Sequence, residues 1–115
     1  GDYAILGGMT GVHQFCHIGA HSFVAANSLI LKDIPPYLMV SGQPASPFGL
    51  NSEGLKRRGF DKDVILTIKR AYKEVYRKGL NVNEALVNVE ALAEDMDELT
   101  FFAEFIRNSS RGIAR

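Results

Sequence analysis

Residues 5–36 read ILGGMTGVHQFCHIGAHSFVAANSLILKDIPP, and within them aliphatic side chains return every six positions: Leu6, Val12, Ile18, Val24 and Ile30. Four residues after each stands a second column, Thr10, Cys16, Ser22, Ser28 and Ile34, small in its first four members. Gly7 and Gly19 directly follow their aliphatic residues. A helix repeats every 3.6 residues and a half-buried strand every two, so neither produces strict sixes. A parallel β-helix built of hexapeptides does, because equivalent side chains stack in successive coils. The aliphatic column is therefore expected to fill the interior, the small column to sit at the corners of a triangular coil, and the glycines to tolerate the corner backbone angles. A pair of buried strands joined by glycine turns is the competing explanation, and five hexads in register outweigh it.

The repeat is expected to end at Ile34-Pro35-Pro36 or soon after, since successive prolines lack the amide hydrogens a ladder needs. Five hexads make fewer than two triangular turns, and solenoids usually need about three or more repeats to bury a continuous core. Further coils are thus expected before Gly1. Without them, the apolar ends of the first coil predict self-association or poor order near Gly1 unless another chain covers them.

Beyond a linker at 41–47 the period becomes helical. Residues 51–60 read as a short helix capped by Asn51 and ended by Gly59. A longer one carries Val64, Ile65, Ile68, Ala71, Tyr72, Val75 and Tyr76 on one face, with Asp61 as N-cap and Gly79 as stop. A third, over 83–94, uses Leu86, Val89, Ala91 and Leu92; a fourth, over 97–108, uses Leu99, Phe102, Phe105 and Ile106. The tail from Ser109 is expected to fray. Residues 1–46 then form coils and an exit loop, and 47–115 a helical domain.

With 115 residues, 46% hydrophobic and 23% charged, the chain is long enough for one ordinary core or two small ones. No apolar run reaches the roughly eighteen residues that span a bilayer, so integral membrane association is not expected. A single cysteine excludes an intrachain disulfide framework, and with three scattered histidines it makes no recognised zinc spacing; no metal is expected. Thirteen basic residues balance thirteen acidic ones, yet nine bases lie between 56 and 78 against Asp61, Asp63 and Glu74. From 79 to 106 seven acids appear with no Lys or Arg. The basic stretch calls for an anionic partner, and no nucleic-acid motif accompanies it.

The hexads, followed by Met39-Val40-Ser41-Gly42-Gln43-Pro44-Ala45, resemble hexapeptide-repeat acyltransferases. More specific are Gly7-Gly8-Met9-Thr10-Gly11-Val12-His13-Gln14-Phe15, Pro35-Pro36-Tyr37, the Glu-Gly-Leu-Lys-Arg-Arg-Gly-Phe run from Glu53, and the closing Ser109-Ser110-Arg111-Gly112. Together they are similar to the UDP-N-acetylglucosamine O-acyltransferases that open bacterial lipid A synthesis, across essentially the whole chain. The resemblance implies the last coils of a left-handed parallel β-helix followed by a small C-terminal helical domain, in a cytoplasmic homotrimer with its active site between subunits. It also implies transfer of a 3-hydroxyacyl chain from acyl carrier protein to the sugar 3-position, with no cofactor. The catalytic histidine of this family sits on an earlier coil, so no residue here is assigned as the base.

By the same resemblance His13 and Gln14 are expected to contact the sugar nucleotide, and Asn51 and Glu53 the nucleotide. Arg57 and Arg58 suit its diphosphate, since planar guanidinium groups match phosphate oxygens through paired hydrogen bonds. Without the resemblance, Asn51 merely caps, Glu53 pairs with Arg57 and the arginines are solvated. Ala26 stands where the family reads acyl length, with Phe23 nearby. Lys62, Lys69, Arg70, Lys73 and Arg77 offer a docking face for the acidic carrier protein. His17 and His21 read as surface residues. Two other functions remain open: a hexapeptide acyltransferase using acyl-CoA, for which the 42–45 turn would suffice but which the motif from Glu53 disfavours, and a non-catalytic assembly module docking through the basic helix.

Overall fold

The computed structural model describes residues 1–110 and 112–115; Arg111 of the closing motif lies outside them. Strand β1 (Ile5–Leu6) pairs in parallel with β3 (Phe23–Val24), and β2 (Gly11–Val12) with β4 (Leu29–Ile30), each residue meeting its partner eighteen positions on. Three hexads therefore make one coil of a parallel β-helix. A bridge between Ile18 and Ile34 marks the third face. Cross-coil hydrogen bonds run along all three, among them Ile5 N–H to Ser22 O at 2.9 Å, His13 N–H to Ile30 O at 2.7 Å and Gly19 N–H to Ile34 O at 2.7 Å.

The last coil is two residues short. Ile18 meets Ile34, and Val24 meets Val40, at a spacing of sixteen. Ile34 thus leaves the small column, where the count of sixes put it, and joins the interior column beside Ile18, fully buried. The coil ends soon after the prolines rather than at them: β5 (Leu38–Gly42) continues the first face before the chain turns back. Pro35 and Pro36 occupy a corner, where the ladder is interrupted anyway, and Tyr37 N–H resumes it by donating to Ala20 O at 3.0 Å. The segment 41–47 is not a linker but the turn of a hairpin, in which β6 (Ala45–Leu50) runs antiparallel to β5 and completes a sheet ordered β1-β3-β5-β6. The expected division between 46 and 47 falls inside β6.

Glycine does not supply the corner angles. Those are taken by Tyr3, Met9, Phe15, His21 and Asn27, at six-residue intervals with φ from 59° to 71°, and by Tyr37 at 75°. Gly7 and Gly19 answer a different need, close approach between coils. A Cβ on Gly7 would stand 2.4 Å from Ala26 N, and one on Gly19 2.3 Å from Pro36 N. The small column carries hydroxyls that satisfy corner carbonyls: Thr10 donates to Gly7 O and Ser28 to Ala25 O, both at 2.7 Å, and Ser22 reaches Pro35 O at 2.9 Å. Interior residues Val24, Ile30 and Val40 are 0% exposed, whereas Leu6 and Val12, in the first coil, are 45% and 42% exposed.

Four helices follow. In α1 (Ser52–Arg57) the Asn51 side chain accepts from Gly54 N–H, and Gly59 turns the chain at φ +84°. In α2 (Lys62–Tyr76) Ile65, Ile68, Ala71, Tyr72 and Val75 are buried; Asp61 stands at its N-cap without a side-chain cap bond. A capping box between Asn81 and Glu84 opens α3 (Val82–Ala93), which buries Ala85, Leu86, Val89 and Ala93, leaving Ala91 exposed. Helix α4 (Asp97–Arg107) buries Leu99, Phe102, Ala103 and Ile106.

The described residues of the tail do not fray. Ile113 and Ala114 are buried, and Ile113 bridges in parallel to Asp33, adding a rung to the third face. Tyr76 Oη donates to Ala114 O at 2.9 Å, and the Arg115 guanidinium donates to Val75 O, in the last turn of α2, and to Leu80 O, in the connection to α3, each at 2.7 Å.

Candidate functional site

A triangular coil has three corners, and the residues singled out from the sequence divide among them. His13 and Gln14 are exposed at the corner after β2, where the His13 Nδ1–H donates to the Gln14 carbonyl at 3.0 Å. In the neutral ring that bond leaves Nε2 as the acceptor nitrogen. Ala26 is exposed at the corner after β3. Phe23, half-buried on the outer face of that sheet, lies between Ile5 and Met39.

The remaining corner, built by Tyr3, His21 and Tyr37, carries α1. Its rings stack along the coil axis: Tyr3 on His21 at 5.1 Å between centroids, and His21 on Tyr37 at 6.1 Å. Phe60 sets its edge against both His21, at 5.0 Å, and Tyr37, at 6.0 Å. His21 is therefore not a plain surface residue. Burial, then the Arg58 charge, lowers its pKa from the ordinary 6.5, with Asp2 opposing. Tyr37 continues the column to Phe102 of α4 at 6.2 Å and donates its hydroxyl to Glu98 O at 2.8 Å. Burial, then the Glu98 charge, pushes the Tyr37 phenol well above its usual range.

Asn51 ties α1 to this corner by two bonds, accepting from Gly54 N–H at 3.3 Å and donating through Nδ2 to His21 O at 2.9 Å. Capping and positioning are thus the same act. Glu53 is 80% exposed and pairs with Lys56 at 3.8 Å, rather than with Arg57 as its i,i+4 spacing allowed. A pair that open contributes little to stability. Arg57 and Arg58 lie at the C-terminal end of α1, where cations suit the helix dipole. The Arg58 guanidinium sits 3.9 Å over the Tyr3 ring; Arg57 makes no ion pair among the described residues. Tyr3 and Tyr37 were missed from the sequence as parts of this corner: Tyr3, eighteen before His21, keeps the hexad register, which carried its signal, whereas Tyr37, sixteen after, falls two short of it.

Lys62, Lys69, Arg70 and Lys73 are exposed on α2, and Arg77 is exposed at its C-cap. Arg77 turns toward Tyr72, donating to its hydroxyl at 3.4 Å. Glu74, buried on the other side of α2, accepts from Asn88 Nδ2 at 2.7 Å and pairs with Lys78, whose hydrogen bond holds the carboxyl below the usual carboxylate range. Among the described residues no group of three or more His, Cys, Asp or Glu could hold a metal ion, and no helix is long and apolar enough to cross a membrane.

A family profile described as UDP N-acetylglucosamine O-acyltransferase, domain 2, matches residues 33–114. Over all 115 residues the chain is 50% identical to an acyl-[acyl-carrier-protein]–UDP-N-acetylglucosamine O-acyltransferase of Thiobacillus denitrificans and 49% identical to one of Pseudomonas entomophila. It spans 45% of the length of each of these relatives. Among solved structures, the UDP-N-acetylglucosamine acyltransferase of Francisella novicida superposes with a TM-score of 0.95 at 47% identity, covering 99% of this chain and 42% of that one. The Arabidopsis enzyme superposes at 0.90 with 33% identity, covering 99% and 43%. The coils are those of a left-handed β-helix, against the right-handed rule for parallel crossovers.

Proposed function

Because the chain belongs to the UDP-N-acetylglucosamine O-acyltransferase family, we propose that it is the C-terminal portion of an enzyme transferring a 3-hydroxyacyl chain from acyl carrier protein to the 3-position of UDP-N-acetylglucosamine. The observation that carries this is the joining of Asn51, Glu53, Arg57 and Arg58 on one short helix, held to the coil through Asn51 Nδ2 and His21 O. Asn51 and Glu53 offer acceptors and a donor to uracil and ribose, and the two guanidinium groups suit the diphosphate. His13 and Gln14, at another corner, contact the sugar. One triangle presents these groups in different directions, so a single copy does not close around one ligand; neighbouring copies in a homotrimer bring one chain's α1 toward another chain's His13 corner. Phe23 and Ala26 line the groove that takes the acyl chain, and the basic face of α2 receives the acidic carrier. The coils carry the acyl groove, and the helices beyond β6 carry the nucleotide subsite on α1 and the docking surface on α2. The cytoplasm is the location proposed for the assembly, as the family resemblance implies.

In the reaction the sugar hydroxyl oxygen attacks the thioester carbonyl, a base takes the hydroxyl proton, and the carrier thiol leaves. No residue here is assigned as that base. Assembled as a trimer, this chain is expected to bind but not to turn over. Calorimetry with UDP-N-acetylglucosamine on this chain and on Arg57→Ala, alongside light scattering, tests the reading. Binding by a trimer that is lost on substitution supports it; binding by a trimer indifferent to Arg57→Ala overturns the nucleotide subsite.

A further inference from the structure

We infer that Tyr3 is a positioning residue for Arg58, its ring fixing the guanidinium in the orientation that receives the diphosphate. The inference rests on the diphosphate reading of Arg58. A free arginine side chain carries rotamer entropy that an anion site must overcome each time it fills unless the side chain is already held. Arg58 is held at both ends. Its backbone caps α1, which Asn51 pins to the coil; its guanidinium lies 3.9 Å over the Tyr3 ring. The π face attracts the cation without consuming a hydrogen-bond donor, and no hydrogen bond or ion pair engages the Arg58 side chain among the described residues. All five donors stay available to phosphate oxygens.

Tyr3 is itself anchored. Its ring rests on His21, His21 on Tyr37 and Tyr37 on Phe102, so the column beneath Arg58 runs down one corner of the coil into α4. Phe60, just past the end of α1, wedges against the middle of the same column. Arg57 has no aromatic platform among the described residues. The two neighbouring arginines therefore differ: Arg58 is preset, and Arg57 is recruited when the ligand arrives.

The test uses NMR on this chain with Tyr3→Phe, Tyr3→Leu, Arg58→Ala and the Tyr3→Leu/Arg58→Ala double variant. Phe keeps the platform; Leu keeps an apolar cover without the π face. Arg58 Nε–H is expected to be ordered in the wild type and Tyr3→Phe and mobile in Tyr3→Leu. The His21 ring, which faces Arg58 and Asp2 as its charged neighbours and Tyr3 and Tyr37 as its titratable ones, should titrate higher in Tyr3→Leu. Part of that rise comes from uncovering the His21 ring, which the Tyr3 ring stacks on, so the Arg58 part is read by difference: Tyr3→Leu is expected to raise His21 further in the wild-type background than in the Arg58→Ala background. An Arg58 that stays ordered in Tyr3→Leu, with the same His21 rise in both backgrounds, would overturn the inference without any ligand. With UDP-N-acetylglucosamine added, Tyr3→Leu is expected to weaken binding roughly three-fold, and to have no further effect in the Arg58→Ala background. If the NMR coupling holds but Arg58→Ala binds as the wild type does, the diphosphate reading fails and the positioning of Arg58 by Tyr3 stands.

Discussion

Ser109 donates its hydroxyl to Asp33 Oδ2 at 2.6 Å, while the other oxygen of that carboxylate accepts from His17 N–H at 2.8 Å. Asp33 is only 2% exposed, and its backbone also pairs with the tail, N–H to Gly112 O at 3.0 Å and O to Ala114 N–H at 2.9 Å. One residue of the last coil thus fastens the C-terminal segment to the solenoid. Asp33→Ala leaves two part-buried donors unmatched and is expected to destabilise the chain by about 2 kcal/mol, with Ser109→Ala costing about 1 kcal/mol. Asp33→Asn, which keeps one acceptor oxygen, should fall between. Urea unfolding measures all three; equal stability of Asp33→Ala and the wild type would deny the tail its fastening role.

The glycines give a paired comparison. Pro36 backbone crowds Gly19, whereas nothing lies within 4 Å of a Cβ added at Gly8. Gly19→Ala must push two coils apart and should cost about 2 kcal/mol or more, while Gly8→Ala should stay within about 0.5 kcal/mol of the wild type. Thermal melts of the two variants decide it, since a glycine needed only for backbone freedom would give no such contrast.

How far the sequence carried the fold follows from the range of each interaction. Leu6, Val12, Ile18, Val24 and Ile30 announce the coil because stacking repeats them locally. Ile34 was misread because two residues are missing from the last coil, and a count of sixes cannot register a deletion. The tail was misread because Asp33 and Ser109 are far apart in sequence, and no periodicity links them. At the candidate site, Asn51 and Gly59 marked α1 through capping chemistry. The aromatic column did not show, since Tyr3, His21 and Tyr37 hold left-handed angles that composition reserves for glycine. Helix periods found the inward faces of α2, α3 and α4 because each buries one stripe.

Protonation of His21 makes the column sensitive to pH. Its folded pKa lies below the ordinary 6.5, so between those two values the unfolded chain binds the proton more tightly than the folded one. Stability is therefore complete above about pH 6.5 and declines as pH falls through the folded pKa. Melting temperature followed from pH 7.5 to 5 should drop for the wild type, and His21→Phe, which keeps a stacked ring, should remove part of that drop. Identical pH profiles would take His21 out of the account.

Ala26 offers the last prediction, for an acyltransferase that contains this region. Its backbone nitrogen lies so near Gly7 that a Cβ there would stand at 2.4 Å, so the chain at this corner has no room to retreat into the coil. Bulk added at position 26 must project outward, where Ala26 is exposed and Phe23 lies three residues before it on the same turn. Ala26→Met should shorten the preferred acyl chain, and Ala26→Gly should admit a longer one. Each methylene excluded from burial is worth about 0.8 kcal/mol, or about four-fold in kcat/KM per carbon. Competition between acyl donors of different length reads this directly. A shift in opposite directions for the two variants assigns the length limit to this corner; the same preference in both removes Ala26 from the groove and leaves Phe23 as the residue to vary next.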